Sequence, residues 1–239
     1  MKNLMVKQAF KAAFPCTIPV LVGYLFLSSA IGIYLAAKGF GLPWAIGCGL
    51  IAYSGAMQFV LAGMLTMSFD PINAVILTLT VNGRHLFYGL PLLKQFSGAG
   101  ILKPYMMFAL TDETFSLQCS VTPPEGIDEH YFRFFICLLN HTYWMIGQII
   151  GNLIGTTLNL DMPGLDFVMT ALFAVLFVEQ WDKYENRRPI MIAAAIAVIT
   201  LLIFGPDTFI VIAMMMIIGV LLLYRPKLEP KPQKRTHQG

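Results

Sequence analysis

Charged residues are scarce in this sequence. They fill 12% of its 239 positions, where a soluble domain carries about 25%, and that shortage excludes an ordinary water-soluble enzyme. The net charge of +3 is too small to build a nucleic-acid surface, so no nucleic-acid partner is expected. Cysteine is also sparse. Cys16, Cys48, Cys119 and Cys137 lie in apolar stretches without C-x-x-C spacing or paired His ligands, which supports neither a disulfide framework nor a metal site. Enzyme signatures are missing too: there is no H-E-x-x-H, G-x-S-x-G or P-loop. Gly47-Cys48-Gly49 with Ala52 imitates a dinucleotide fingerprint, but no strand precedes it. The expectation is a protein that is not an enzyme and carries no cofactor.

What the chain has in quantity is apolar surface. Hydrophobic residues make up 57%, with 14 Met, 18 Phe and 20 Gly, a composition suited to helices packed in lipid. A spanning helix needs about 20 predominantly apolar residues, and eight segments qualify: 12–37, 42–67, 71–93, 104–122, 134–158, 165–181, 189–204 and 208–224. Ser28-Ser29-Ala30 weakly resembles a signal-peptidase site, but the apolar run continues to Ala37, which favours an uncleaved first span. The expected fold is therefore all-α, a polytopic helical membrane protein with a single transmembrane domain over 1–225. The Pro- and Lys-rich stretch 226–239 reads as a disordered basic tail drawn to anionic lipid.

Eleven of the 16 basic residues gather in three places: Lys2, Lys7 and Lys11; Lys183, Arg187 and Arg188; and Arg225, Lys227, Lys231, Lys234 and Arg235. By the positive-inside rule both termini and the loop 182–189 are cytoplasmic. Eight full crossings would leave Lys94 and Lys103 outside, a conflict removed if two segments dip in without crossing. The third and fourth, interrupted by polar residues, are the candidates for such re-entry. Six to eight spans are expected. No internal sequence repeat is evident. Gly147, Gly151 and Gly155 recur every fourth residue, making a groove for a neighbouring helix backbone, within the chain or from another subunit.

Two stretches break the apolar pattern. In Val81-Asn82-Gly83-Arg84-His85-Leu86-Phe87-Tyr88-Gly89, Arg84 is the fourteenth residue of a 23-residue segment; in Phe108-Ala109-Leu110-Thr111-Asp112-Glu113-Thr114-Phe115, Asp112 is the ninth of nineteen. Both clusters fall near mid-depth, where a charge costs about 2.5 to 3.5 kcal/mol on insertion scales. One reading is purely structural, with Arg84 paired to Asp112 or Glu113 only to neutralise both. The other is that a water-filled cavity reaches these groups and offers them to a substrate or ion. Asn82 and His85 share one helical face, as do Arg84 and Tyr88. Asp112 and Glu113 point about 100° apart, so one of them faces the cavity, and Asp112 is favoured. That divergence also argues against a two-acid intramembrane hydrolase. Gly83 and Gly89 offer places where the helix can unwind. Tyr53, Ser54, Gln58, Asn140 and His141 are further polar residues within spans, read as interhelical hydrogen bonds or ligands. Gln58 is retained among the candidate ligands. His85, beside an Arg and titrating near physiological pH, is a candidate proton carrier.

The polar stretches together resemble the AzlC family of bacterial branched-chain amino acid permeases. The matching text is Ala9-Phe10-Lys11-Ala12-Ala13-Phe14-Pro15, Tyr53-Ser54-Gly55-Ala56-Met57-Gln58-Phe59, Val81 through Gly89 and Ala109 through Phe115. The C-terminal half matches mainly in its pattern of spans. Gly83 stands where the family's small residue, often Ala, is expected. The resemblance implies a multi-pass protein of the bacterial plasma membrane that exports branched-chain or similar neutral amino acids with a small AzlD-type membrane partner. Physical chemistry agrees with that substrate class. A zwitterion needs a cation and an anion beside an apolar pocket: Arg84 and the amides around Gly83 for the carboxylate, Asp112 for the ammonium, with Asn82, Tyr88 and Gln58 completing the candidate substrate site. Uphill export needs coupling, and a proton carried by Asp112, Glu113 or His85 is the expected source. An ion channel or carrier and a non-transport assembly subunit are the alternatives.

Overall fold

The computed structural model describes residues 2–66, 70–83, 85–158, 174, 178, 181, 187–205 and 209–228. Arg84, most of the segment 165–181, the loop lysine Lys183 and the tail from 229 onward lie outside the described residues. The described chain is helical, with no strand, and divides into two compact units, Met1–Met169 and Thr170–Gly239.

The first unit is organised on two long helices, α1 (Lys2–Ala37) and α8 (Glu129–Leu158), both long and apolar enough to cross a membrane. They run parallel. Phe10 meets Phe135, Thr17 bonds Tyr143 at 3.0 Å, Ser29 donates to the Gly147 carbonyl at 3.0 Å, and Gly155 packs on Ile33 and Ala36. Gly147, Gly151 and Gly155 are what permits this approach, since a Cβ on any of them would overlap α1: at Gly147 it would lie 2.8 Å from the Leu25 carbonyl oxygen, at Gly155 2.7 Å from Ala36 Cβ. The glycine groove is thus filled from within the chain. Asp128 opens α8 by accepting the Tyr131 amide at 2.9 Å.

Between α1 and α8 lie six short helices: α2 (Leu42–Ile51), α3 (Gly55–Met64), α4 (Pro71–Asn82), α5 (His85–Leu92), α6 (Leu102–Phe108) and α7 (Asp112–Ser120). Three of the apolar segments, 42–67, 71–93 and 104–122, are each broken near the middle; interruption was expected of the last two and not of the first. At 1.5 Å per residue an arm of about ten residues reaches roughly 15 Å, half of a hydrocarbon core of about 30 Å.

Two of the three pairs turn back on themselves. In α2–α3 the Gln58 amide donates to the carbonyls of Cys48 and Ala52, both at 2.9 Å. Leu61, far along α3, and Leu65, just past its end, line an apolar cleft of about 250 Å³ with Pro43, Trp44 and Gly47 at the start of α2. In α6–α7, Met106 and Gln118 both lie against Cys137, and the reciprocal pair Gln118 and Arg133 ties the end of α7 to the start of α8. The α4–α5 pair instead runs on: Asn82 meets Ser54, Tyr88 meets Phe115, and Gly98 beyond it packs on His130. The hairpins are therefore the second and fourth segments, where the third and fourth were expected to re-enter.

They approach from opposite ends of α8. Phe40, preceding α2, accepts from Asn152, and Gly49 packs on Met145 and Gln148; Tyr105 of α6 packs on Phe134 and Gln118 of α7 on Arg133. The two turns meet around His141, whose Nε2 pairs with the Gly49 carbonyl at 3.2 Å and whose Nδ1 pairs with the Tyr105 hydroxyl at 3.0 Å.

Arg133, 3% exposed, bonds Glu129 at 2.8 Å as well as both Gln118 oxygens. Arg133→Leu would strand those oxygens at the end of α7. The expected cost is about 2 kcal/mol, read as a lowered thermal midpoint in detergent.

In the second unit, α9 (Arg188–Phe204) and α10 (Phe209–Leu228) pack on each other across a turn at Gly205, which has φ of 73°. Pro189 sits in the first turn of α9, where its missing N–H costs nothing.

Candidate functional site

The two hairpin turns repeat one another. Ala52 closes α2 with its amide on Cys48, the Ser54 amide turns back to the Ala52 carbonyl, and Ser54 in extended conformation opens α3. Ala109 closes α6 on Tyr105, the Thr111 amide turns back to Ala109, and Thr111 in extended conformation opens α7. Tyr53, Ser54, Ala109, Leu110 and Thr111 are all buried, as non-helical backbone at membrane depth must be. The turns differ in their caps. Thr111 Oγ1 accepts the Thr114 amide at 3.2 Å, whereas the Ser54 hydroxyl makes no cap and donates to Asn82 Oδ1 at 2.7 Å.

Asp112 and Glu113 occupy the first turn of α7, where the helix dipole favours negative charge. They diverge to different partners. The Tyr88 hydroxyl of α5 donates to Asp112 Oδ1, and the Tyr88 ring stacks on Phe115 at 4.6 Å. The Tyr24 hydroxyl of α1 donates to Glu113 Oε2 at 2.9 Å and is bonded to Thr111 Oγ1 as well. His85 opens α5 with its ring 5.2 Å from that of Tyr88. Asn82 ends α4 on Ser54, and Gly83 follows it. Arg84, the expected carboxylate ligand, is outside the described residues.

Gln58 is fully buried, and its side chain is occupied at both ends: two donor bonds hold the hairpin and Oε1 accepts from Trp144 Nε1 of α8 at 3.3 Å. Trp144 stands edge-on to Tyr24 at 5.1 Å, and Tyr53 stacks on His141 at 4.3 Å. Asn140 donates to Thr114 Oγ1 at 3.0 Å. Asp112, Glu113, Tyr88 and His85 thus gather in one polar layer with residues the sequence reading did not select: Tyr24, Thr111, Thr114 and Trp144. Thr111 was legible, because a Thr followed by two acids is a helix-start signal. Tyr24 was not, since nothing on α1 announces its partner.

Among the described residues, several polar side chains are buried beside an apolar core while many large apolar ones face outward. Gln58, Gln118, Gln148, Asn140 and Asn152 are fully buried, while Phe26, Ile51, Leu86 and Leu202 stand largely exposed. That inversion of the soluble pattern defines a helical membrane protein built round a layer of broken helices and buried polar groups. The model of the AzlC protein family matches residues 19–158, from the second half of α1 to the end of α8. The chain is 42% identical over 228 residues to the branched-chain amino acid transport protein AzlC of Bacillus subtilis, covering 95% of this chain and 90% of that protein. It is 40% identical to an uncharacterised membrane protein of Helicobacter pylori strain J99 over 93% and 97% of the two chains, and 24% identical to the inner membrane protein YgaZ of Escherichia coli K12 over 75% of each. No solved structure matches. The chain belongs to the AzlC family.

Proposed function

We propose that this protein is a secondary transporter that exports branched-chain and similar neutral amino acids across the bacterial plasma membrane, driven by protons and assisted by a small AzlD-type membrane subunit. The observation that carries the reading is the layer where the two opposed hairpin turns meet. There α7 opens with two carboxylates beside the Tyr88 and Phe115 rings, in a chain closely akin to a branched-chain amino acid transport protein.

A zwitterionic substrate needs two opposite poles. Asp112 takes the substrate ammonium, and Arg84 with the backbone at the break after Asn82 takes the carboxylate. Tyr88 fixes the Asp112 carboxylate, and Asn82 fixes the turn before α3. Gln58 acts by holding the α2–α3 hairpin to α8. Asp112, Glu113 and His85 are the groups available to carry a proton. The two hairpins suit alternating access, each closing the layer from one end, and the charge clusters at the ends of the chain support cytoplasmic termini.

The Tyr88 and Phe115 rings beside Asp112 offer an apolar surface to an aliphatic side chain, and a single methylene discriminates by only about 1 to 3 kcal/mol. Specificity should therefore be broad. In vesicles containing the chain and an AzlD-type partner, counterflow of labelled leucine is expected, with isoleucine, valine and methionine competing within roughly a hundredfold of one another. Lysine and glutamate should compete poorly. Flux of inorganic ions without amino acid counterflow would overturn the reading.

A further inference from the structure

Glu113 lies one residue from Asp112, yet its surroundings are of another kind. Tyr24 of α1 donates to it, Tyr24 is bonded to Thr111, Thr111 Oγ1 lies 3.0 Å from Thr114 Oγ1, and Thr114 receives the Asn140 amide of α8. The ring of Tyr53, from the other hairpin turn, stands 6.5 Å from that of Tyr24. Every one of these partners is neutral. Among the described residues no cationic side chain reaches Glu113, and its neighbours that can titrate are Tyr24 of α1, Tyr53 of the α2–α3 turn and the adjacent Asp112; α8 brings the Asn140 amide to Thr114 and the His141 ring against Tyr53.

Among the described residues, two buried oxygens of this layer lack a hydrogen-bond partner. They are the Tyr53 hydroxyl, on a residue 5% exposed, and Asn140 Oδ1, on a residue fully buried. Orphaned buried oxygens are costly in protein interiors, and here they flank a chain of hydroxyls ending on a carboxyl group. A carboxylate in such a place must either find a cation or take up a proton.

We propose that Glu113, and not Asp112 or His85, is the proton-binding group of the transport cycle, with the hydroxyls of Tyr24, Thr111 and Thr114 as its relay. The protonated carboxyl group is accommodated in the closed layer with all its partners neutral. Among the described residues the ionised form meets no counter-charge, and it draws water, so loss of the proton parts the α6–α7 turn from Tyr24 and α1. Binding of the proton and closure of that hairpin are one event. Asp112, held by Tyr88, is left to the substrate ammonium.

This inference rests on the transport reading, and one set of measurements separates the two. Counterflow exchanges labelled for unlabelled substrate without net proton movement, whereas accumulation against a gradient requires it. In vesicles holding the chain and its AzlD-type partner under an imposed pH gradient, Glu113→Gln is expected to lower accumulation of leucine by about tenfold or more while counterflow falls by less than about threefold. Gln keeps the shape and still accepts the Tyr24 hydrogen bond, and Glu113→Asp should restore part of the pH-driven accumulation. Tyr24→Phe should show the same split more weakly. Equal loss of both fluxes in Glu113→Gln, persistence of pH-driven accumulation in it, the same split in Asp112→Asn, or drive by a sodium gradient in its place would each overturn the assignment. A wild-type chain with no amino acid counterflow would overturn the transport reading itself.

Discussion

Asp112→Asn is expected to reduce leucine counterflow on the order of a hundredfold, corresponding to about 3 kcal/mol for a lost charge-assisted contact, while the protein inserts and extracts normally. The substitution is narrow. Asn retains an oxygen that can accept the Tyr88 hydroxyl bond now made by Asp112 Oδ1, and Asn is tolerated in the first turn of α7, where Thr111 already caps the Thr114 amide. What disappears is the negative charge, and with it the partner proposed for the substrate ammonium. Arg84→Gln is expected to act as strongly, through the carboxylate. The two losses should not add, since a zwitterion released at one pole gains little from the other. Labelled leucine counterflow in vesicles measures both, with detergent-extracted yield as the control for folding. Wild-type flux in Asp112→Asn would leave Asp112 and Tyr88 as a helix-pinning pair and remove the amino acid from this layer.

Hydropathy revealed where the apolar segments lie and where polarity interrupts them, but not their direction. An apolar run of 26 residues at 42–67 satisfies the length of a span, and only the three residues Ala52, Tyr53 and Ser54 turn it back. The helix-start signals are present in the sequence, Ser54 before Gly55 and Thr111 before two acids, yet a long window averages them away. The repeat of the two turns was also invisible in the letters, because Ala-Tyr-Ser and Ala-Leu-Thr share only a small residue and a hydroxyl. The acidic half of the candidate site was legible because a mid-depth carboxylate is expensive and therefore conspicuous. Its neutral half was not: Tyr24, Thr114 and Trp144 are ordinary residues until the fold brings α1, α7 and α8 to one level.

The frame that brings them together makes the second large effect predictable. Gly151 faces α1 so closely that a Cβ there would overlap the Ser29 carbonyl oxygen and lie 2.6 Å from the Ser29 Cα. The obstacle is backbone, which cannot rotate away as a side chain would. Gly151→Ala should therefore cost about 3 kcal/mol by overpacking, and Gly151→Leu should prevent recovery of folded protein. Gly23, on α1 but with nothing within 4 Å of a Cβ placed on it, is the matched control. Gly23→Ala should be neutral or stabilising by up to about 1 kcal/mol, since Ala is the better helix former. Thermal unfolding in detergent compares the two. The consequence for function follows from the same contact. α1 carries Tyr24 and α8 carries Asn140 and His141, so prying them apart at Gly151 also draws the Tyr24 hydroxyl from Glu113. A Gly151→Ala protein that still folds is expected to lose pH-driven accumulation before it loses counterflow, although its substitution lies in neither hairpin. Equal stability of Gly151→Ala and Gly23→Ala would mean that α1 and α8 do not meet backbone to backbone, and the level at which the two turns converge would then have no common support.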